Sequence, residues 1–299
     1  LAHEIGEDKC SIYSQDISQK SSALLRLNLI LNDLVHSIPN IVKGNTIKDP
    51  YHKTADGQLR KFDYIVSNPP FKLDFSDYRD DLENSVQFFA GIPNTPPKKK
   101  ESMAIYQLFI QHILHSLNEN GKAAIVVPTG FLTAQSRIDT KIRQKLVDKK
   151  ILSGVVSMPS NIFATTGTNV SIIFIDKENK GDVVLIDASN LGKKVKDGDI
   201  QKTFLSDSDE QQIINTFTAK EALDGFSLVI SHEDIAAKNY SFSAGQHFEV
   251  KIEYVDITED DFKERTEQFE TNLNDYFEAS NRLNESIFEG LKSIKYEDH

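Results

Sequence analysis

Asp63-Tyr64-Ile65-Val66-Ser67-Asn68-Pro69-Pro70-Phe71 is the stretch that decides how the rest of the chain is read. Phe62 to Val66 is rich in β-branched and aromatic residues and lacks helical spacing, which predicts a buried strand. Pro69 and Pro70 must stop that strand, because neither donates a backbone hydrogen bond and both hold φ near one value. The Asn68 amide and the proline carbonyls are therefore presented on a stiff turn. Such rigidity suits a site that must hold an acceptor oxygen in a fixed place.

Upstream of the turn, Ser11 to Asp16 is a short strand candidate ending in an acid, with Ser18 as a possible N-cap of the helix that follows. Leu24, Leu25, Leu27, Asn28, Leu31 and Leu34 predict one buried face on that helix. Asp16, at the carboxyl end of a strand, stands where nucleotide-binding folds hold ribose hydroxyls, since an ionised carboxylate accepts two hydrogen bonds from a vicinal diol. Starting the helix is its other reading. Ile41 to Thr46 is a second short strand closed by Gly44-Asn45. Asn45 could accept from an adenine amino group, or could serve only as a turn former.

Downstream, residues 72–100 run acidic, then aromatic, then rich in Pro and Lys, with no core periodicity, and predict a functional lid or a disordered segment. Lys98 to Lys100 is a candidate phosphate contact or a solvated charge run. Met103 to Leu117 reads as a helix closed by Asn120-Gly121, Lys122 to Pro128 as an apolar strand and Gln135 to Lys149 as a second helix, basic on its outer face. Ile151 to Met158 and Val170 to Asp176 are further strands flanking the loop from Pro159 to Gly167. Continuous apolar strands between amphipathic helices imply an α/β fold with a mostly parallel sheet covered on both faces. From Val183 to His247 the pattern weakens to a short strand, a Lys/Asp/Gly loop, a helix near Glu210 to Thr218 and a segment at Phe226 to Ile230. The chain ends in a stripe, Phe262, Thr266, Phe269, Leu273, Tyr276, Ser280, Leu283, Ile287, Gly290 and Ile294, spaced alternately by 4 and 3 as in a coiled-coil seam. Phe277, Phe288 and Leu291 widen it. One such helix cannot bury its own stripe, so it either folds back or awaits a partner helix. The expected division is 1–187, a catalytic domain; 188–255, a peripheral α/β extension; and 256–299, a long helix for subunit association.

Composition bounds the possibilities. With 299 residues, 39% hydrophobic and 26% charged, the chain can hold one large α/β domain and an appendage. Its longest apolar runs are far below the roughly 20 residues that cross a bilayer, so no membrane span is expected. A single cysteine, Cys10, excludes an internal disulfide framework and a multi-cysteine zinc site and fits a reducing cytoplasm. Net charge is −11, but residues 256–299 hold 5 Lys+Arg against 13 Asp+Glu, leaving 29 against 32 for residues 1–255. The tail carries most of the acidity. Phosphate would repel such a tail, which is better suited to meet protein, while the nearly balanced remainder can still touch nucleic acid through local clusters.

The chemistry of the turn follows from its acceptors. The exocyclic amino group of adenine is a poor nucleophile, because its lone pair is delocalised into the ring. The Asn68 oxygen and the Pro69 carbonyl can take hydrogen bonds from both N–H groups and hold the nitrogen toward tetrahedral geometry. Phe71 can stack on the flat base. A methyl group on a sulfonium is the natural electrophile, needing no metal, and a base in a duplex must first be flipped out.

On these residues a family resemblance rests. Asn68-Pro69-Pro70-Phe71 resembles the catalytic motif of amino-group methyltransferases, and the Phe variant is similar to that of adenine-N6 DNA methyltransferases. Tyr13 to Ile17, Gly44-Asn45-Thr46, the helix around Tyr106-Gln107-Leu108-Phe109, Ala124 to Leu132 and Pro159 to Gly167 follow in an order similar to the modification subunit of type I restriction-modification systems. The resemblance spans most of residues 10–177. It implies a Rossmann-like S-adenosylmethionine-dependent methyltransferase sheet with a C-terminal helical extension. It also implies S-adenosylmethionine as cofactor, with Asp16 on the ribose, Ile17 beside the adenine ring and Asn45 near the adenine amino group. Phe163 is implied in the pocket for the flipped base, or else plugs the core. The implied partners are DNA, a specificity subunit that packs on the C-terminal helix and reads the sequence, and a restriction subunit. One departure stands out. The family's Asp-Pro-x-x-Gly-x-Gly loop should precede Asp16 by about twenty residues or more, and residues 1–10 hold only Gly6. Truncation or degeneracy would account for it; truncation is the expectation, and with it weak or no binding of the cofactor by residues 1–299 alone. The rival readings are an amino-group methyltransferase acting on RNA or on protein glutamine, and a non-catalytic assembly module that presents the C-terminal helix.

Overall fold

A computed structural model describes residues 2–6, 9–163, 168–179, 181–197, 200–248 and 257–293. They fall into two compact units, Leu1–Phe248 and Glu249–His299.

In the first unit a short helix, α1 (Ala2–Ile5), precedes a strand, β1 (Ser14–Asp16), a helix, α2 (Gln19–Leu31), and a strand, β2 (Ile41–Lys43). Strands β1 and β2 pair in parallel as a sheet of two, with Ser14 opposite Ile41. Ser18 caps α2 as its sequence predicts, its hydroxyl accepting from the Ser21 amide at 3.2 Å. The buried face expected on α2 is formed only in part, by Leu25, which packs with Leu29 and Leu34. Leu34 and Leu29 are buried, whereas Leu24, Leu27 and Leu31 are 57%, 52% and 75% exposed, because no element packs across that side among the described residues.

The main sheet has six strands: β3 (Phe62–Ser67), β4 (Leu117–Pro128), β5 (Leu152–Ser157), β6 (Val170–Asp176), β7 (Val183–Asp187) and, after a hairpin, β8 (Lys193–Asp197) and β9 (Ile200–Phe204), the sixth strand β10 (Ser227–Ile230). Their order is β10-β7-β5-β6-β4-β3. The pairs β3·β4 and β5·β7 are parallel, and β6 lies antiparallel between β4 and β5. Strands β3, β4, β5 and β7 thus run one way, with β6 and β10 opposed, so the sheet is mostly parallel in direction. All four parallel strands end at one edge.

Alternation along the strands sends side chains to two cores. Ile125, Val127, Val155, Ile173 and Leu185 pack with α3 (Tyr106–Ser116), α4 (Arg137–Asp148) and α6 (His232–Ala237) on one face. Val156, Val184 and Ile186 face the other way, with Phe217 of α5 (Asp207–Ala219) among the residues packed there. Helix α3 ends at Ser116 rather than at the predicted Asn120-Gly121 cap. Gly121 serves a different need: a Cβ there would lie 3.0 Å from the Phe62 carbonyl, at the register shift where β4 meets β3. The segment after Phe71 is ordered by a core of its own, in which Phe75, Leu82, Phe88 and Met103 pack with Ile47 and Leu108.

The second unit holds α7 (Glu259–Ser293), 35 residues long. Its stripe is exposed from Phe262 to Gly290, Phe269 and Tyr276 by 71% and 72%, and Ile294 lies outside the described residues. No helix among the described residues is long and apolar enough to cross a membrane.

Candidate active site

The turn Asn68-Pro69-Pro70-Phe71 leaves the carboxyl end of β3, the edge at which open α/β sheets bind ligands. Asn68 and Pro70 are exposed, Pro69 is buried, and Phe71 is half-buried with its ring packed against the main core. One side of the turn is thereby anchored while the Asn68 amide stays accessible. Ser67 pairs with Ile125 of β4, so the 3-10 turn Thr129–Leu132 that ends β4 lies at the same edge.

That neighbouring turn is held from beneath by two buried polar clusters. Arg143, fully buried on α4, donates from Nη1 to the Phe131 carbonyl at 2.7 Å, from Nη2 to Ala134 at 2.6 Å and from Nε to Tyr240 at 2.8 Å. Asp139, one turn earlier, accepts from the Tyr106 hydroxyl at 2.9 Å, the Gln107 amide at 2.8 Å and the Ser136 hydroxyl at 2.5 Å, which locks α3 to α4. Burial, and then the Asp139 charge, pushes the Tyr106 phenol well above its ordinary range.

Asp16 closes β1, and its Oδ1 accepts from the Ser18 amide at 2.6 Å, so it helps start α2. Ile17 beside it is 69% exposed, an apolar side chain free to meet a flat ring. Asn45 follows β2. Its Oδ1 accepts from the Ile47 and Lys48 amides, both at 3.0 Å, and its Nδ2 donates to the Tyr78 hydroxyl at 3.1 Å. The turn-forming role read from the sequence is therefore the one the hydrogen bonds fill, and an adenine amino group would compete with two backbone donors for Oδ1. Phe163 is half-buried in the loop after β5, two residues past Asn161, whose φ is 57°. That loop is tied to β9 by the Thr203 hydroxyl, which donates to the Ser160 carbonyl at 2.7 Å. Residues 164–167 of the Pro159 to Gly167 motif lie outside the described residues.

Tyr78 carries no sequence signal. It sits in the aperiodic segment after the turn, and only the folded chain brings it to Asn45, with the Lys48 ammonium 5.6 Å over its ring. Among the described residues there is no cluster of His, Cys, Asp and Glu able to hold a metal ion.

A sequence profile of N-6 DNA methylases matches residues 1–255, most of the chain. The chain belongs to the N-6 DNA methylase family. Within that family it is similar to the type I restriction enzyme MpnII methylase subunit of Mycoplasma pneumoniae, 28% identical over 264 residues that cover 85% of this chain and 47% of the relative. It is also 28% identical over 301 residues to the MjaIX methylase subunit of Methanocaldococcus jannaschii, covering 97% of this chain and 51% of that one. A solved type I restriction-modification methyltransferase subunit from Streptococcus thermophilus superimposes with a TM-score of 0.64 at 25% identity, covering 80% of this chain and 48% of the neighbour. This N-6 DNA methylase chain spans about half the length of the curated relatives it matches. The methyltransferase sheet expected from the turn is thus the fold observed, and every proposed site residue, from Asp16 to Phe163, lies inside the family match.

Proposed function

We propose that this chain carries the catalytic face of an adenine-N6 DNA methyltransferase, acting as the modification subunit of a type I restriction-modification complex. The observation that carries the reading is the placement of Asn68-Pro69-Pro70-Phe71 at the carboxyl end of β3, within residues matched to the family.

The residues present fit the nucleoside half of S-adenosylmethionine: a carboxylate, Asp16, ends a strand and an exposed apolar side chain, Ile17, follows it. When bound, that cofactor supplies a sulfonium methyl whose departure leaves a neutral thioether. The chain's own part is to prepare the amine. Asn68 Oδ1 and the Pro69 carbonyl accept from the two hydrogens of the adenine N6 group, which localises the nitrogen lone pair for in-line attack. On accepting the methyl group, the adenine nitrogen would release one proton to solvent. Phe71 steadies the base, and Phe163 lines its pocket after flipping. The division of the chain into a catalytic domain (1–187), an extension (188–255) and an association helix (256–299) belongs to the same reading. The exposed stripe and acidity of α7 fit a specificity subunit with complementary helices, and DNA and a restriction subunit complete the assembly.

The test is transfer of tritiated methyl groups to unmethylated DNA by the full polypeptide with its specificity subunit. Asn68→Ala is expected to abolish transfer while leaving folding and subunit association intact. Undiminished turnover in that variant would sink the mechanism, and transfer to RNA or protein in preference to DNA would redirect the substrate.

A further inference from the structure

Lys98-Lys99-Lys100 stands out in the segment after the Asn-Pro-Pro-Phe turn, and the fold gives it a fixed place. All three residues are exposed. The backbone beneath them is pinned: Lys99 takes a φ of 60°, and the Ser102 amide and hydroxyl donate to its carbonyl at 2.9 and 2.7 Å. Met103, 3% exposed, anchors the turn in the small core with Phe75 and Leu82. Its carbonyl accepts from the Leu73 amide at 3.1 Å, two residues past Phe71. A solvated charge run needs no such attachment, and this one is fastened to the chain that leaves Asn68. Asp74 lies within electrostatic reach of Lys100, but its carboxylate is already engaged by the Ser76 amide at 2.9 Å.

A second basic group stands along the same edge. Strand β7 ends with Asp187 at the carboxyl edge, and the hairpin of β8 and β9 follows it. Lys194 lies opposite Thr203 and Lys196 opposite Gln201, so strand alternation puts these four on one face. That face is turned to the loop after β5, because Thr203 is buried, with its hydroxyl donating to the Ser160 carbonyl at 2.7 Å and its amide to that of Asn161 at 3.0 Å. Lys194 and Lys196 remain exposed beside the loop that carries Phe163. Strand β3 is last in the strand order, with Tyr64 and Val66 50% and 68% exposed, so the burial predicted from its sequence is corrected: the strand forms at the sheet's border. The turn it delivers is therefore four strand spacings from β7, roughly 19 Å. One strand of DNA covers that distance in about six base steps.

We propose that Lys98 and Lys100 beside the turn, and Lys194 and Lys196 on the hairpin, grip the backbone phosphates on the two sides of the adenosine delivered to Asn68. The inference rests on the DNA methyltransferase reading and adds how the strand is held. A flipped nucleotide turns about its own backbone, so the phosphates flanking it must be fixed for the base to stay in its pocket. Lysine suits that task, as a point charge on a flexible stem that follows a backbone whose path changes. The chain as a whole carries −11, and these two groups give the carboxyl edge a local charge of the opposite sign. Such contacts position a strand without reading its bases.

The test is the affinity of the full polypeptide with its specificity subunit for unmethylated DNA, read by fluorescence anisotropy over a salt series with no cofactor added. Lys98→Gln with Lys100→Gln, and separately Lys194→Gln with Lys196→Gln, should each weaken binding about 10- to 50-fold at about 0.15 M salt. Each pair should also flatten the slope of log affinity against log salt by about 2. Arginine at the same positions should keep the slope. Lys149→Gln with Lys150→Gln, past the end of α4 at the opposite edge, removes equal charge and should leave the slope unchanged. Unaltered slopes in the first two pairs overturn the proposal, as does an equal loss in the opposite-edge pair. Loss of subunit assembly, with the DNA affinity of assembled complexes intact, assigns the lysines to a protein partner and overturns it too. A parent complex that transfers no methyl group to DNA sinks the methyltransferase reading, whereas the salt slopes judge the grip alone.

Discussion

Asn45 and Tyr78, 33 residues apart, are joined by a hydrogen bond of 3.1 Å that ties the turn after β2 to the segment after the Asn-Pro-Pro-Phe turn. Through it, the two halves of the candidate site, nucleoside end and base end, share one support. The Asn45 oxygen organises its own turn while its amide nitrogen reaches across.

The two roles of Asn45 can be separated by substitution. Tyr78→Phe removes only the acceptor of the Asn45 amide nitrogen and should cost about 0.5–1.5 kcal/mol in urea unfolding. Asn45→Ala strands the buried Ile47 amide as well and should cost about 1–2 kcal/mol. The double variant should be little worse than Asn45→Ala alone, since both changes remove the same bond. Full additivity between Asn45→Ala and Tyr78→Phe would show that the bond contributes nothing.

How much of this was legible in the sequence depends on how local each signal is. Strand β6 is read from Val170 to Asp176 without error because a continuous apolar run bounded by polar residues has one meaning. The Asn-Pro-Pro-Phe turn is legible for the same reason, two prolines acting on their own backbone. The β8–β9 hairpin is not, since Lys193-Lys194-Val195-Lys196-Asp197 is polar enough to read as a loop and pairs only with its neighbour. Gly121 was visible as a breaker, but its task, close passage by the Phe62 carbonyl, is set by a residue 59 positions earlier. The contact of Asn45 with Tyr78 and the exposure of α2 are likewise tertiary facts that no periodicity encodes.

Stability should fall with acid through His112. Burial, aided by His115 and Lys61, lowers its pKa from 6.5 to about 4, and its Nδ1–H donates to Gln87 Oε1 at 3.2 Å. The unfolded chain takes up this proton near pH 6.5 and the folded chain only near 4. The neutral ring thus contributes its full stabilisation above 6.5, and about 3 kcal/mol is lost as the pH drops to 4. His112→Gln should flatten the dependence without abolishing it, because burial also depresses His52, His115, His232 and His247. An unchanged slope between pH 7 and 4 would contradict the assignment.

Gly154 on β5 leaves room for α5. A Cβ there would come within 2.5 Å of Phe217 Cε2 and 2.7 Å of the Val184 carbonyl. Gly154→Ala should destabilise by about 1–3 kcal/mol, as overpacking does. Trimming the ring with Phe217→Leu should relieve only part of that cost, since the Val184 carbonyl belongs to a paired strand that cannot retreat.

Arg143 gives the sharpest link between the buried scaffold and the site edge. Its guanidinium serves three carbonyls in two loops, and burial lowers its pKa while Asp139 opposes the shift. The rigid fork is what matches three acceptors at once; a lysine ammonium is a point donor on a flexible stem. Arg143→Lys should therefore lose most of the support, and Arg143→Met, which keeps the apolar stem, should cost about 3 kcal/mol or more by stranding buried carbonyls. Because Phe131 and Ala134 follow β4 at the carboxyl edge where β3 delivers Asn68, the proposed function requires the Lys variant also to lower methyl transfer in the assembled enzyme. Its turnover should fall more than its affinity for DNA, as misplacement of a positioned base requires. A loss of stability with turnover unchanged would confine Arg143 to the fold and detach the loop from the chemistry.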